Sequence, residues 1–299
     1  MPVYYNDINT GRYYLGSQLI GTQYFGSTVL TPGQPGWSPA DMQNFVAWYR
    51  ADTGVTYDGN NNVTAWAPVS SSLAPGISLL DVTLTVKSGG TSPKYLSSIS
   101  GMNNKPGIQF GTVSTTENLR TSATNSVFNP GNGCFNWYVI DTNTNAFGGG
   151  QTIGGPAGEF DSGGGYYNYS FTNYPSYNNA YTLGGVDGNV GPFTNLQSVA
   201  SYPKALFATF VNTNPSFYTE GGYYLNDVAG SPNNLWNTTQ GYIYAGSRRC
   251  IWILGNSNAL DAPFYGTILE AGITGVNGSA DWVDLQNYVQ ARYNLDFSI

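Results

Sequence analysis

Before residue 281 the chain shows no apolar spacing of helical period, and its apolar runs are short and cut apart by clusters of Gly, Asn, Ser and Pro. That pattern restricts it to strands joined by turns. Strands are read at Phe45 to Asp52, Val63 to Trp66, Lys105 to Phe110, Cys134 to Asp141, Gln151 to Gly154, Ala205 to Asn212, Ser216 to Tyr218 continuing in Gly222 to Leu225, Gly241 to Ala245, and Phe264 to Ile273. One amphipathic helix, Asp281 to Tyr293, closes the chain with Leu285, Tyr288 and Val289 on a single face. A last strand followed by a short helix needs an upstream partner strand and a sheet for the helix to cover. The run around Trp48 is the expected partner. The fold class is therefore all-β: a two-sheet antiparallel jelly-roll sandwich with a C-terminal helix, which buries many apolar strands without long crossovers.

The chemistry open to such a chain is narrowed by what it lacks. It contains no His, which removes Ser-His-Asp and Cys-His catalysis and the commonest zinc ligand. No metal site or cofactor is expected. Charged residues make up only 9% of the chain, yet no window approaches the roughly 18 apolar residues of a spanning helix. Exposed positions must then carry neutral polar residues and Tyr, a composition associated with proteins outside cells or on virions. The first residues, MPVYYNDINTG, have neither the basic nor the apolar segment of a secretory signal. Net charge is -7 and the longest basic run is Arg248-Arg249, so neither nucleic acid nor membrane insertion is expected. Cys134 and Cys250 read as two buried free thiols in strands, with a disulfide as the alternative.

Residues 1–36 carry a ten-residue repeat. Tyr14-Leu15-Gly16-Ser17 recurs as Tyr24-Phe25-Gly26-Ser27, Leu19-Ile20 recurs as Val29-Leu30, and a weaker copy starts at Tyr4-Tyr5. Each copy reads as strand, Gly-Ser turn, strand, the unit of a small meander. Hairpins of this size are marginal alone. Tyr14, Leu15, Tyr24 and Phe25 are thus candidate docking residues, toward another protein or as an extra ribbon on the chain's own domain. The breaker cluster Thr31 to Gly36 sets the expected boundary with a domain of residues 37–299. Ser38-Pro39-Ala40-Asp41 then opens a turn or two of helix. Asp58, Asn60 and Asn62 mimic the start of a calcium loop, but its twelfth position is Val69 instead of a bidentate Glu, which makes a hairpin turn the better reading.

Four ordered segments resemble the concanavalin A-like (LamG-type) lectin and glucanase superfamily. They are FVAWYRADTGVTYDGNNNVTAWA, NNKPGIQFG, PSFYTEGGYYLND and FYGTILEAGITGVNGSADWVDLQNYVQARYNL, spanning residues 45 to 295. The closing Gly266-Thr267-Ile268-Leu269-Glu270 and Tyr293-Asn294-Leu295 are similar to the superfamily's Gly-x-Ile-x-Glu strand and its Tyr-Gly-Leu helix end, with Asn294 replacing Gly. The repeats of the arm resemble those at the N-termini of tailed-bacteriophage structural proteins. A virion component would also combine an extracellular composition with the absence of a secretion signal, being made in the host cytoplasm and displayed on the virion surface. The resemblance further suggests a homotrimer.

Glucanases of the superfamily carry Glu-x-Asp-x-x-Glu on one strand, with two carboxylates roughly 5 Å apart for retention. Here Glu159-Phe160-Asp161 supplies the first half and Gly164 stands where the second Glu belongs, so no catalytic residue is assigned and a non-enzyme is expected. Glu117, Glu220 and Glu270 are isolated, and Glu270 reads as a surface or helix-capping carboxylate. Tyr166, Tyr167, Tyr169, Phe171, Tyr174, Tyr177 and Tyr181 crowd one stretch among Asn and Ser. Aromatic rings stack on sugar faces and amides bond hydroxyls, so the cluster suits a glycan platform; it equally suits a protein interface, or the packing of a long insertion. The expectation is a phage virion structural protein, tail- or fibre-associated and touching a host-surface glycan, bound to other virion proteins through its arm. The alternatives are capsid decoration (cement) or a head fibre, and a glycan hydrolase of the glucanase type.

Overall fold

The computed structural model describes residues 37–71, 78–112, 114–121, 134–142, 151–159, 204–213, 250–256, 263–275, 280–295 and 297, together with the backbone of further strands outside these ranges. It is an all-β sandwich of two antiparallel sheets with a C-terminal helix, Trp282–Tyr293, as the sequence pattern requires. One sheet runs in the order 94–96, 107–110, 266–274, 134–142, 204–213, 219–225, 228–229, with the opening strand Phe45–Arg50 also on 266–274. The other runs 197–198, 180–185, 166–174, 154–159, 250–254, 119–121, 84–85, 63–66, 55–57. The opening and closing strands are direct neighbours, with Trp48 opposite Gly272 and Ala47 opposite Ile273.

The first sheet is buried on both faces, and strand alternation assigns each residue to one side. Tyr49, Tyr138, Ile140, Phe207, Ile268 and Ile273 face the second sheet and pack with Trp66, Leu254 and Trp252. Trp48, Trp137, Val139, Leu206 and Leu269 face the other way, where Trp282, Leu285, Val289 and Tyr293 of the helix cover them. Each such apolar side chain is worth about 1.5–3 kcal/mol when fully buried, so the helix is held by its docking and not by propensity. Its ends fit this role. Asp281, expected as its first residue, lies just before it and accepts the Gln43 backbone N–H at 2.7 Å, tying the helix start to the entry of the opening strand. At the other end Asn294 is left-handed (φ 54°), so the Gly-to-Asn departure falls on the residue that tolerates this conformation best after Gly.

Several expectations are met closely. Pro39–Asp41 is a single 3-10 turn, with the Asp41 carboxylate accepting both the Ser38 N–H (2.8 Å) and hydroxyl (3.0 Å). Asp58 to Asn62 is a hairpin turn in which Asp58 Oδ1 accepts the N–H of Asn60 and of Asn62, which engages the first ligand of the imagined calcium loop internally. In the arm, Tyr14 pairs with Leu19 and Leu15 with Gln18, and ten residues later Tyr24 pairs with Val29 and Phe25 with Thr28. The repeat is therefore two equivalent hairpins, and Tyr4–Asp7 adds a strand to the first. Their side chains lie outside the described residues. The structure adds strands at Val55–Tyr57, Leu84–Thr85, Lys94–Leu96 and Leu119–Thr121, each too short to show alternation, and at Cys250–Leu254, a wholly apolar run of five. Gly241 to Ala245 and Ser216 to Tyr218 lie outside the described residues.

Candidate functional site

The closing strand determines what lies under the helix. Val139 pairs with Glu270 but Ile140 pairs with Ile268, so Leu269 is the extra residue of a β-bulge. The consequence is that Leu269 and Glu270, consecutive in sequence, both reach the helix side of the sheet. Glu270 is fully buried there. Its Oε1 accepts the Trp48 indole N–H at 2.5 Å and the Tyr288 hydroxyl at 2.8 Å, while Oε2 accepts the Tyr293 hydroxyl and lies 3.4 Å from Arg292 Nε. The expected surface or helix-capping carboxylate is thus corrected: both faces of this strand are buried, and the bulge sets Glu270 on the helix side, where it binds the opening strand to two turns of the helix through side chains.

The charge continues outward. Arg292 also bonds Asp52, whose Oδ1 is 2.6 Å from Arg50 Nε, and the Arg50 guanidinium sits 5.3 Å from the Trp48 ring centre. Two carboxylates and two guanidiniums balance to zero, which is what makes burial of Glu270 tolerable. Burial raises the Tyr288 phenol far above its ordinary value, and the adjacent Glu270 charge adds to this, so it stays a neutral donor. Burial opposes ionisation of Asp52, but the bonds and charges of Arg50 and Arg292 outweigh it and hold that carboxyl below its usual range.

Tyr288 and Arg292 of this hub line an open groove of about 430 Å³ beside the helix. Trp37 and Tyr288 meet edge-on along it at 6.3 Å, and Asn103, Lys105, Asp284 and Arg292 complete the rim. The Asn103 side is a built turn: Asn103 and Asn104 are both left-handed (φ 51° and 52°), Ile99 N–H bonds Lys105 O at 2.9 Å, and Asn103 Nδ2 donates to Arg292 O at 3.0 Å. Neither Trp37 nor Lys105 stood out in sequence, because their meeting depends on the helix lying across the sheet.

The Tyr cluster is placed as strands of the second sheet. Tyr166–Tyr174 is one nine-residue strand, with Tyr166 opposite Glu159, Tyr167 opposite Gly158, Tyr169 opposite Gly185 and Phe171 opposite Leu183. Tyr174 pairs with Ala180, and Tyr181 with Asn173 in the next strand. Tyr177 lies outside the described residues, as do the side chains of the others. Glu159 ends the strand Gly154–Glu159, and Asp161 and Gly164 are outside the described residues. Glu117 is fully buried; its carboxylate accepts the N–H of Gly111 (2.6 Å) and Ser114 (3.1 Å) and shapes that loop. Glu117 and Glu270 are thus both engaged internally. Cys134 and Cys250 each open a strand, one in each sheet. Among the described residues no group of three His, Cys, Asp or Glu is placed to hold a metal, and no helix is long and apolar enough to cross a membrane.

No family model matches the chain, and no curated protein does. Solved structures similar to it include an arabinofuranosidase complexed with arabinofuranosyl-alpha-1,2-xylobiose, at 13% identity over 86% of this chain and 61% of that one, TM-score 0.52. Trypanosoma rangeli sialidase in complex with sialic acid aligns at 10% identity over 83% of this chain and 33% of that one, TM-score 0.47. Full-length tailspike protein 2 of the Escherichia coli O157:H7 bacteriophage CAB120 aligns at 13% identity over 72% of this chain and 29% of that one, TM-score 0.40. The chain spans about a third of the sialidase's length. The likeness to the arabinofuranosidase is one of fold.

Proposed function

We propose that the chain is a non-enzymatic structural protein of a tailed-bacteriophage virion, tail- or fibre-associated, whose concanavalin A-like sandwich contacts a host-surface glycan. The observation that carries this reading is the strand Tyr166–Tyr174, which with Ala180–Gly185 sets six of the seven clustered aromatics on regular backbone toward one end of a sheet. Rings in fixed register can stack on sugar faces at low entropic cost. The arm supports the docking half of the proposal. Among the described residues its strands pair with one another, and in this reading the two small hairpins seat Tyr14, Leu15, Tyr24 and Phe25 on another virion protein, with the sandwich outward on the virion surface, in a homotrimer.

The same hairpins favour, as a second reading, a purely assembling role as capsid cement or head fibre. A glycan hydrolase is the third. A glycan array combined with a polysaccharide-release assay on the purified full chain separates them. Selective binding without release is expected; neither binding nor release would assign the protein to assembly, and released sugar would overturn the non-enzyme reading. Deleting residues 1–36 is expected to leave a folded sandwich that no longer enters particles. Incorporation of the truncated chain at the full-length level would refute docking through the arm.

A further inference from the structure

Three charged side chains stand among aromatic and apolar surface in the groove beside the helix. Two of them, the cation Lys105 and the anion Asp284, have no ion-pair partner among the described residues. The third charged rim residue, Arg292, is already bonded to Asp52 and Glu270. A phosphate or carboxylate ligand would satisfy Lys105 and be repelled by Asp284, and an ammonium ligand would do the reverse. A hydroxyl both donates and accepts, so a pair of neighbouring hydroxyls can satisfy both groups at once. The remaining wall includes the Trp37 and Tyr288 rings and Asn287. The volume falls within the range of about 300–1,000 Å³ typical of small-ligand sites. The walls are also pre-formed: Tyr288 is fixed by Glu270, and Asn103 by its bond to the helix end.

We propose that this groove binds a neutral saccharide, with Asp284 accepting from one ring hydroxyl, Lys105 donating to its neighbour, and the sugar's apolar face lying against Trp37. It is a different place from the Tyr166–Tyr181 hairpin, and the proposal rests on the reading of the chain as a glycan-contacting protein. The test is titration of the purified full chain with cellotriose, xylotriose and maltotriose, and with trigalacturonic acid as the acidic counterpart, followed by calorimetry and saturation-transfer NMR. Binding of at least one neutral trisaccharide is expected, weakened about tenfold or more by Asp284→Ala and by Trp37→Ala, in line with loss of a hydrogen bond to a charged group. Asp284 is half-buried and has no ion-pair partner among the described residues, so its variant reports on the groove even if Trp37→Ala disturbs the fold. Binding that both variants leave intact would overturn the groove and leave the hairpin as the glycan site. Binding of the acidic trisaccharide alone, or of none of the four, would also overturn the proposal. The wider reading would then stand or fall on the array.

Discussion

Replacing Glu270 with Ala is expected to remove about 3–5 kcal/mol of folding free energy, the cost of breaking a buried ion pair by deleting one partner. The Trp48 indole, two tyrosine hydroxyls and the Arg292 guanidinium all converge on this carboxylate; without it the indole and the hydroxyls lose their acceptor, and Arg292 keeps Asp52 as its remaining carboxylate. Gln is little better, since its amide nitrogen would point a donor at donors. Urea unfolding followed by tryptophan fluorescence reads the effect, and a loss under about 1 kcal/mol would show that the hub does not hold the helix. The pH dependence has a definite sign. Burial raises the Glu270 carboxyl above its ordinary value, and the Tyr293, Arg292, Tyr288 and Trp48 contacts pull against this without cancelling it. The folded state then binds the proton more tightly than the unfolded chain, so stability falls as pH rises from the ordinary carboxylate value through the folded one. Asp52 acts in the opposite sense: its lowered value gives stability that is present above the ordinary carboxylate range and lost as pH falls through the folded value. Glu270→Gln should abolish the first limb and keep the second.

How much of this could be seen in the sequence depends on what each residue's role requires. The opening and closing strands were legible because both faces of their sheet are buried, so Phe45–Arg50 and Gly266–Thr274 read as dense apolar runs. The helix was legible from Leu285, Tyr288 and Val289. The bulge was not, because an extra residue in one strand is defined only against its partner. Glu270 therefore reads as a surface or helix-capping carboxylate, whereas the slip at Val139/Ile140 sets it beneath the helix, on the side of Leu269 instead of that of Ile268.

The groove was hidden for a related reason. Trp37, Asn103, Lys105 and Asp284 come from three separated stretches, and no spacing rule connects them. What could have hinted at it is the Asn103-Asn104 pair, since consecutive asparagines often accept left-handed backbone and so mark a fixed turn. The Tyr cluster is the converse case. Its composition was conspicuous, and alternate positions Tyr167, Tyr169 and Phe171 do belong to one strand, yet Pro175 and the surrounding Gly and Asn obscured how long that strand is.

Gly272→Val is expected to destabilise the protein by about 3 kcal/mol or more, at the upper end of what overpacking usually costs. Gly272 lies in the closing strand with Trp48 opposite it on one side and Trp137 on the other. Both indoles belong to the layer beneath the helix, and Trp137 is almost completely buried. A Cβ at position 272 would stand 2.4 Å from Cε2 and Nε1 of Trp137. The ring is rigid and enclosed, so the strand or the ring must move. Movement of Trp137 would press on Trp282, Leu285 and Val289, and the helix that carries the groove would shift with them. Even Gly272→Ala should be costly, and Trp137→Leu should reduce that cost by vacating the space. In a double-mutant cycle the pair should therefore cost less than the sum of the single changes, by about 1 kcal/mol or more. Additivity within about 0.5 kcal/mol would mean that the glycine serves the backbone and not the tryptophan. The same cycle read by saccharide titration gives a second result: Gly272→Ala should weaken the groove by displacing Tyr288 and Asp284, and Trp137→Leu in the same chain should restore it.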